Sequence, residues 1–479
     1  MKLTFWGAAR QVTGSMFLLE LDDDYRILID CGTEMARDRE ESAEMNFRER
    51  QGLLFPFEPS LINLVLLTHA HIDHSGNLPN LIREGYEGQI LCTSATYSLT
   101  KLLLMDSASL HRNKLKAIHG SRRSSKRSHQ PPPDTSDMYL ERHVDEAVER
   151  FVTIAFQQRF KVRHNMYVTF IPTGHLLGAA NILVEIIEEN GQTKRIGFSG
   201  DIGRHNYPLL PDPAPFPPVD YLICESTYGN RRHEAKGKPE DILADVIKRT
   251  CIDIPGRLII PAFSVGRTQA LLYTLNKLYS QESIAPIKVF SDSPMALQST
   301  QIHQKYVKLL NADAQEFQEE HEELFDFENL HYVENMEQSR AVSSYHEPCI
   351  IISSSGMISG GRVEEHIRKN IQNPYCTILM IGFAAEGTLG YRLTNGQKTL
   401  RIGNKEVPVL ANVERTDVFS GHADLDDLLS FVKQQKPTQL QKLFVVHGEY
   451  DTMLAFKQTL EQEGFGQVEI PKKGQAYIL

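Results

Sequence analysis

The feature that most constrains this chain is a dense group of histidines directly behind an apolar segment. Residues 61–68 are predicted to form a buried strand, and the sequence then continues Thr68-His69-Ala70-His71-Ile72-Asp73-His74-Ser75-Gly76. Three imidazoles and a carboxylate this close together are costly to bury in an apolar core. They are, however, ligands that zinc and similar divalent ions accept. The segment therefore predicts a metal site on a loop that follows a strand.

Length and composition indicate a large folded protein. At 479 residues the chain is too long for one ordinary core, which favours two domains or one domain interrupted by another. Hydrophobic residues at 41% and charged residues at 23% are typical of globular proteins. The longest apolar stretch, near residues 376–385, is far shorter than the roughly 20 residues that cross a bilayer. Because Arg10 and Gln11 interrupt any signal-peptide core, we expect a cytoplasmic protein with no membrane partner.

Cysteine usage and net charge argue against a disulfide-stabilised protein and against a globally basic nucleic-acid-binding protein. The 6 cysteines are scattered without a C-x-x-C pair, so they are interpreted as reduced core residues rather than disulfides or a thiolate zinc site. A net charge of -10 disfavours a globally basic nucleic-acid-binding protein but leaves room for a local positive groove.

Two patterns of strands divide the chain. The first third predicts short strands at residues 2–7, 15–21, 25–30 and 61–68, with little helical periodicity. Beyond the proline-rich residues 210–218, which predict an irregular surface connection, apolar strands alternate with helices. The predicted strands of this second part are residues 257–261, 287–290, 349–352 and 378–381. Such alternation is typical of a parallel sheet covered on both faces.

The histidine segment resembles the H-x-H-x-D-H signature of the metallo-β-lactamase superfamily. That resemblance implies an αββα sandwich and a ligand set of His69, His71, Asp73, His74, His175, Asp201 and His447. By the same resemblance, His69, His71 and His175 would hold one ion. The other ion would be held by Asp73, His74 and His447, with Asp201 shared.

The cofactors implied are two Zn²⁺ ions, although nitrogen and oxygen ligands also suit Mn²⁺ or Fe²⁺. Such a pair makes hydroxide available for attack on phosphorus at neutral pH. Asp30, at the end of a predicted strand, resembles the superfamily's structural aspartate and is expected to orient the metal loop by hydrogen bonds.

Two further motifs resemble those of the β-CASP nucleases, one branch of the superfamily. They are Ile223-Cys224-Glu225-Ser226-Thr227-Tyr228-Gly229 and Phe419-Ser420-Gly421-His422-Ala423-Asp424. The catalytic residues implied are Asp73, Glu225 and His422, with Glu225 holding His422 protonated so that it can protonate the leaving oxygen.

The other hallmark of that branch is an inserted α/β domain. We therefore expect the β-CASP domain at residues 229–390, between residues 1–228 and 391–479 of the metallo-β-lactamase domain. The chain is similar to prokaryotic members of the branch and to the nuclease subunit of the cleavage and polyadenylation specificity factor.

Phosphate binding is predicted at strand-to-helix turns of the inserted domain. Two Gly/Ser-rich turns offer backbone N–H groups and hydroxyls to an anion, and a nearby cation matches the family pattern. The residues concerned are Ser293, Ser353, Ser355, Gly356 and Arg267. A mere tight turn, or an ion pair within the domain, is the alternative.

A basic insertion at about residues 107–135 departs from the family pattern. Residues 107–133 contain no Asp or Glu and carry seven cations: Arg112, Lys114, Lys116, Arg122, Arg123, Lys126 and Arg127. The block is interpreted either as a solvated, mobile insertion or as a basic arm that gathers polyanion.

The resemblance implies a zinc-dependent ribonuclease that hydrolyses RNA phosphodiester bonds. Three alternatives stay open: a DNA nuclease of the same branch, a small-molecule metallo-hydrolase and a non-catalytic RNA-binding subunit. RNA is favoured by analogy, because His447, which doubles as the third motif of the β-CASP branch, is a histidine as in its RNA-processing members. The oligomeric state, including a homodimer, and the choice between internal and end-directed cleavage are left open.

Overall fold

The fold is taken from a computed structural model that describes residues 1–22, 24–34, 53–124, 135–234, 237–382, 384–402 and 405–479. The strands, in chain order, are β1 (Lys2–Phe5), β2 (Phe17–Glu20), β3 (Arg26–Ile29), β4 (Leu64–Leu66), β5 (Gln89–Cys92), β6 (Phe151–Thr153), β7 (Phe160–Arg163), β8 (Met166–Pro172), β9 (Ala180–Ile187), β10 (Thr193–Phe198), β11 (Tyr221–Glu225), β12 (Arg257–Pro261), β13 (Lys288–Asp292), β14 (Leu330–Tyr332), β15 (Cys349–Ser353), β16 (Cys376–Met380), β17 (Thr399–Ile402), β18 (Lys405–Pro408), β19 (Asn412–Arg415), β20 (Lys442–Val446), β21 (Val468–Glu469) and β22 (Gln475–Ile478).

The described helices alternate with these strands. They are α1 (Ile72–Ser75), α2 (Leu78–Arg83), α3 (Ser94–Ser124), α4 (Glu141–Val148), α5 (Pro239–Ile247), α6 (Arg267–Ser280), α7 (Pro294–Lys305), α8 (Ala312–His321), α9 (Met336–Ser343), α10 (Val363–Asn370), α11 (Leu389–Thr394), α12 (Leu425–Val432) and α13 (Tyr450–Gln462). Short 3-10 helices lie at Pro59–Leu61 and Val307–Leu309, and a π-helical turn at Lys248–Asp253 follows α5. None of the helices described is long and apolar enough to span a membrane.

The chain folds into two units. The first unit comprises Met1–His205, Pro213–Arg232 and His422–Leu479, and the second comprises Asn206–Asp212 and His233–Gly421. The second unit is thus inserted into the sequence of the first. The domain boundaries at 228 and 390 that we infer from the motifs remain a proposal.

The first unit is an αββα sandwich, as predicted. One seven-stranded sheet has the order β22-β1-β2-β3-β4-β5-β6, and the other has the order β21-β20-β11-β10-β9-β8-β7. Their facing sides form one apolar core, in which Phe5 contacts Phe444 at a ring-centroid distance of 5.0 Å and Phe17 stacks on Phe198 at 6.4 Å. Burial of each such aromatic side chain stabilises the folded state by a few kcal/mol, so this core holds the two sheets together.

Two further apolar clusters cover the outer faces of the sandwich. On the first sheet, Val65 and Ile90 pack with Leu78 and Leu81 of α2. On the second sheet, residues of β11 and β20 pack with α12 and α13. The four layers follow from strands whose two faces are both apolar, since each face must be covered.

The second unit contains a parallel sheet, also as predicted. Its order is β14-β13-β15-β12-β16-β19, and every neighbouring pair is parallel. The strands β12, β15 and β16 are buried along their whole length. A separate antiparallel hairpin joins β17 and β18.

The expectation of little helix in the first third is wrong. Helix α3 runs for 31 residues through the beginning of the basic block. Its buried residues Ala95, Leu99, Leu104 and Ala108 recur at helical spacing, so one apolar stripe supports the helix from its start into the basic block. The basic insertion is therefore helical up to Ser124. Its part at residues 125–134, and the side chains of 119–124, lie outside the described residues.

The six cysteines are all free and buried, which confirms the interpretation of them as reduced core residues. Residues 210–218 form an irregular connection as predicted. Phe216 within that connection is buried against the outer face of the second sheet, so the segment is packed rather than only superficial.

Candidate metal centre

The seven predicted ligands converge at strand ends of the first unit. Strands β3 and β4 are parallel neighbours in one sheet, and β10, β11 and β20 are parallel neighbours in the other. Parallel neighbours end at the same edge of a sheet, so the residues that follow them meet. His69 follows β4, Asp201 follows β10 and His447 follows β20.

One group of ligand atoms comes from His69, His71, His175 and Asp201, whose ligand atoms all lie within 4.8 Å of one another. His71 Nδ1 lies 3.1 Å from His69 Nε2 and 3.2 Å from His175 Nε2. A second group consists of Asp73, His74 and His447. In it, His74 Nε2 and His447 Nε2 are 3.3 Å apart, and His447 Nε2 is 3.5 Å from Asp73 Oδ2.

Asp201 lies between the two groups and faces each with a different oxygen. Its Oδ2 is 3.5 Å from His69 Nε2 and 3.4 Å from His175 Nε2. Its Oδ1 is 3.3 Å from His74 Nε2 and 3.6 Å from His447 Nε2. This is the arrangement expected of a carboxylate shared by two cations.

These spacings fit divalent ions bound by nitrogen and oxygen. Two ligand nitrogens at the usual zinc distance and a tetrahedral angle are about 3.3 Å apart, close to the observed imidazole separations. Asp201 is buried, and its Oδ1 has no hydrogen-bond partner among the described residues. A buried carboxylate oxygen without a donor is costly unless a cation balances it. The donor set of the site therefore fits divalent metal binding.

The titratable side chains of the first ligand group are held in the protonation states that allow metal binding. Burial lowers the pKa of His71 to about 4, and burial together with the neighbouring His74 lowers the pKa of His69 well below its ordinary value. Although burial alone would raise it, the imidazoles of His447, His74 and His69 hold the pKa of Asp201 well below its usual range. Neutral imidazoles and an ionised carboxylate are the forms that bind a cation.

Asp30 makes the hydrogen bonds predicted for it. Its carboxylate accepts from the backbone N–H and the hydroxyl of Thr68, both at 2.8 Å, and lies 2.7 Å from His74 Nδ1. Asp30 and His447 both adopt left-handed backbone conformations, with φ of 58° and 52°. Such a conformation is strained for residues other than glycine and is commonly kept at functional sites.

Close backbone approach also holds the ligand loop. A Cβ on Gly32 would lie 1.7 Å from the carbonyl oxygen of Asp73, so only glycine fits there. The neighbouring Cys31 donates its backbone N–H to the carbonyl of His74 at 2.8 Å. The segment after β3 thus fixes the loop that carries Asp73 and His74.

Glu225 and His422 lie beside the metal ligands. Glu225 is fully buried at the end of β11, and its carboxylate accepts from the backbone N–H groups of Ile202 at 2.6 Å and Thr227 at 3.2 Å. His422 Nδ1 is 3.5 Å from Glu225 Oε1 and 3.9 Å from Asp201 Oδ2. The pair is within ion-pair distance, and the part-exposed His422 ring lies on the ligand group with its centroid 4.5 Å from that of His175.

The predicted phosphate-binding residues lie in the second unit and differ in availability. Ser353 is buried and donates to the Asp292 carbonyl at 3.1 Å, so its hydroxyl is used inside the sheet. Ser293 caps α7 by accepting from the N–H of Ala296 at 3.2 Å. Ser355 is half-buried, and its hydroxyl accepts from the N–H of Ser359 at 3.0 Å.

The other two candidates are packed against one aromatic ring. A Cβ on Gly356 would lie 3.0 Å from the ring of Phe263, and the Arg267 guanidinium lies 4.8 Å from the centroid of the same ring. Ser264 and Ser354, which the motif analysis did not single out, bring their hydroxyls within 2.9 Å and 3.3 Å of Ser293 Oγ. Phosphate binding at these turns stays a prediction.

Sequence reasoning missed the hydroxyls that orient two ligands. Thr227 Oγ1 is 3.0 Å from His447 Nδ1, and Thr68 Oγ1 is 3.1 Å from His69 Nδ1. Each ring therefore has a polar partner on the nitrogen that faces away from the ligand group, which is usual around metal-bound histidines. Both threonines lie inside the quoted motifs. Thr68 directly precedes the ligand candidate His69, which was an available signal, whereas Thr227 is 220 residues from His447 in sequence and no local pattern connects them.

The first unit is a four-layer αββα sandwich, and Asp201 lies between its two histidine-containing groups of candidate ligands. Together these two features define the metallo-β-lactamase class of metallo-hydrolases. Comparison with known families agrees. A model described as the metallo-beta-lactamase superfamily matches residues 9–164, one for the Beta-Casp domain matches residues 268–393, and one for the Zn-dependent metallo-hydrolase RNA specificity domain matches residues 406–471. The chain belongs to the β-CASP family of this superfamily, as the motifs predicted.

Similar proteins cover nearly the whole chain. It is 31% identical over 464 residues to ribonuclease TTHA0252 of Thermus thermophilus, an overlap of 97% of each protein. It is also 30% identical over 483 residues to the transcription termination factor FttA of Methanocaldococcus jannaschii, covering 98% of this chain and 70% of that protein. The FttA of Methanosarcina mazei is 30% identical over 459 residues, covering 94% of this chain and 67% of that protein.

Proposed function

We propose that this protein is a ribonuclease that hydrolyses RNA phosphodiester bonds with two divalent ions, Zn²⁺ in the first instance. The observation that carries the proposal is the shared carboxylate, because the two oxygens of Asp201 face two separate ligand groups. Similarity to a protein named a ribonuclease, over almost all of both chains, favours RNA as the substrate. A cytoplasmic location is part of the same proposal.

The residues that would hold the ions are the two groups joined by Asp201. When bound, such ions make a nucleophilic water available near neutral pH and neutralise charge on the phosphoryl oxygens. The protein's contribution is to fix the ligands. Asp30 and Thr68 orient His74 and His69, and Gly32 lets the backbone carrying Asp73 approach closely.

His422 is proposed to protonate the departing sugar oxygen. Its ring is part-exposed beside the ligand groups, whereas the metal ligand His69 is almost fully buried. Glu225 holds its negative charge at a fixed place because two backbone N–H groups bind its carboxylate. Its oxygen at 3.5 Å from His422 Nδ1 stabilises the protonated imidazole electrostatically, and Glu225 is therefore a positioning residue.

The test measures bound metal and cleavage of end-labelled RNA and DNA of the same sequence. Asp73→Ala should lose metal and cleavage together. His422→Ala should keep its metal while turnover falls by about 10²–10⁴, the usual contribution of a general acid. His164→Ala, which removes an exposed histidine in the same unit, is the matched control and should behave like the parent.

Three results would contradict the proposal. Cleavage that survives Asp73→Ala excludes the metal chemistry, and loss of metal in His422→Ala makes His422 a ligand instead of an acid. Equal cleavage of RNA and DNA removes the RNA preference.

Light scattering on the same samples decides between a monomer and a homodimer.

A further inference from the structure

Thr227 lies where two neighbouring strands of the first unit end. Strands β11 and β20 are parallel, and Glu225 is paired with Val446 at their last positions. The segments beyond these positions leave the sheet at the same edge, which places Thr227 against His447 although 220 residues separate them in sequence. Thr227 is not one of the predicted ligands, yet its hydroxyl contacts one of them.

The hydroxyl of Thr227 faces two atoms of the same ligand residue. Its Oγ1 lies 3.0 Å from His447 Nδ1 and 3.4 Å from the His447 carbonyl oxygen. The backbone of His447 is itself held, because its N–H donates to the Ala8 carbonyl at 2.8 Å and its carbonyl also accepts from the Ser226 N–H at 3.2 Å. A carbonyl oxygen has two lone pairs and can accept from both Ser226 and Thr227. The hydroxyl therefore has a choice between a carbonyl and a ring nitrogen.

A hydroxyl has one proton, so the Thr227 hydroxyl can donate to only one of these two atoms. When it donates to the carbonyl, its lone pairs are left to accept from Nδ1–H, and the neutral His447 ring has a free lone pair on Nε2. When it donates to Nδ1, the ring carries its proton on Nε2 and cannot bind a cation there. That nitrogen faces the second ligand group, 3.5 Å from Asp73 Oδ2 and 3.6 Å from Asp201 Oδ1. The direction of one hydrogen bond thus decides whether His447 can act as a ligand.

We propose that Thr227 is a positioning residue for metal binding. Its hydroxyl donates to the His447 carbonyl and accepts from Nδ1–H, which keeps Nε2 free for the ion of the second ligand group. The inference rests on the proposed two-ion function and adds to it the residue that sets the form of the last ligand. Without the hydroxyl, the Nδ1–H of an ion-bound ring would lose its acceptor among the described residues. Partners of this kind typically contribute 10- to 100-fold to metal affinity.

The backbone of Thr227 serves the acid pair instead of the ion. Its N–H donates to Glu225 Oε2 at 3.2 Å, and the other oxygen of that carboxylate lies 3.5 Å from His422 Nδ1. A substitution that keeps the N–H and removes the hydroxyl therefore separates the two roles. Thr227→Val is that substitution, because valine keeps the branching at Cβ and has no polar atom there.

The experiment titrates the Zn²⁺-loaded parent and Thr227→Val with a chromophoric chelator, without RNA. We expect one of the two dissociation steps to show a 10- to 100-fold lower affinity in the variant and the other step to be unchanged. For the same reason, Zn²⁺ should raise the melting temperature of the variant less than that of the parent. At saturating Zn²⁺ the variant should regain RNA turnover, and His422→Ala should lower turnover by the same factor in both backgrounds, since the acid pair is intact.

Two controls separate the hydroxyl from a general effect on folding. Thr227→Ser keeps the hydroxyl and should keep both parental affinities. Thr459→Val makes the same chemical change at another half-buried threonine of the first unit, whose hydroxyl donates to the Ala455 carbonyl at 3.1 Å, and should also keep both affinities. Thr227→Ala removes the hydroxyl with a smaller side chain and gives the same test if Thr227→Val does not fold.

The outcomes distinguish this inference from the proposed function. If the parent binds two ions and cleaves RNA while the variant without the hydroxyl keeps both affinities, the inference is wrong and the ribonuclease proposal stands. Weakened binding in Thr227→Ser would show that the methyl group matters instead of the hydroxyl, which also overturns the inference. If the parent binds fewer than two Zn²⁺ ions or cleaves no RNA, the proposed function itself fails.

Discussion

Replacing Asp30 by asparagine should reverse the tautomer of a metal ligand while leaving the shape of the site intact. In the parent, the Asp30 carboxylate lies 2.7 Å from His74 Nδ1 and can only accept, so the ring donates from Nδ1 and leaves Nε2 free. That free Nε2 faces Asp201 and His447. In place of Oδ1, the asparagine amide oxygen would keep the bond from the Thr68 backbone N–H. The NH₂ would replace Oδ2, which faces both the Thr68 hydroxyl and His74 Nδ1, so the hydroxyl would turn to accept from it. The NH₂ would also point at Nδ1 and favour the proton on Nε2.

The size of the effect follows from the number of ligands affected. Only one of the seven nitrogen and carboxylate ligands is set in the wrong form, and the side-chain volume is kept. Changes to a hydrogen-bond partner of a metal-bound histidine typically cost 10- to 100-fold in affinity, which is about 1.4–2.8 kcal/mol. The loss should fall on the ion held by Asp73, His74 and His447, so that about half of the bound metal is lost first.

The assay is a competitive titration with a chromophoric chelator, with total metal measured by mass spectrometry. Asp145→Asn is the matched control, because it makes the same chemical change at an exposed position on α4. For Asp30→Asn we expect two metal-dissociation steps, one of them with an affinity 10- to 100-fold weaker than in the parent. Parental affinity at both steps would refute the tautomer argument, and collapse of the fold would show instead that Asp30 mainly holds the loop together.

Two further predictions concern backbone and buried charge. Gly32→Ala should lower both the melting temperature and the metal content, because its Cβ would lie 1.7 Å from the Asp73 carbonyl; Gly466→Ala, with nothing within 4 Å, should be near neutral by the same measurements. Asp292→Ala should cost about 3–5 kcal/mol in denaturant unfolding, since it leaves the buried His366 and the half-buried Arg362 without their carboxylate partner. Burial alone would raise the pKa of Asp292, but hydrogen bonds from its partners lower it. Its stabilisation is therefore present above about pH 4 and is lost as pH falls through the folded-state pKa, so a flat stability profile in that range would contradict the assignment.

Sequence reasoning was most successful where the chemistry is tied to a strand end. His69 and His447 each follow an apolar strand, and each strand has a parallel neighbour in its own sheet, so the side chains that follow such neighbours meet at one edge of that sheet. The residue types at these strand ends indicate a metal site, and the metallo-β-lactamase class follows from the resemblance of the H-x-H-x-D-H motif. The division of Asp201 between the two ligand groups was implied only by resemblance, because it depends on strands β10 and β20 being separated by one strand.

The features that the sequence did not predict have physical reasons as well. Helix α3 was overlooked because the charge of its last turns hid the apolar stripe of its first turns, and no local rule says that the two belong to one helix. The buried Asp292 network could not be predicted either. Its partner His366 is 74 residues away in sequence, at 2.6 Å in the fold, and no motif connects them. Phosphate binding by Ser353 stays a prediction; the bond from its hydroxyl to the Asp292 carbonyl of the neighbouring strand is a further contact that no motif indicated.

The place of β20 in the second sheet has a consequence for protein synthesis. Strand β20 adds to the sheet beside β11 only after the ribosome has made the whole inserted unit, and it delivers His447 to ligands that were translated long before. Strand β22 then closes the other sheet against β1, at the opposite end of the message. A nascent chain therefore carries six of the seven candidate ligands before the site can close, and His447 is the last of them to leave the ribosome.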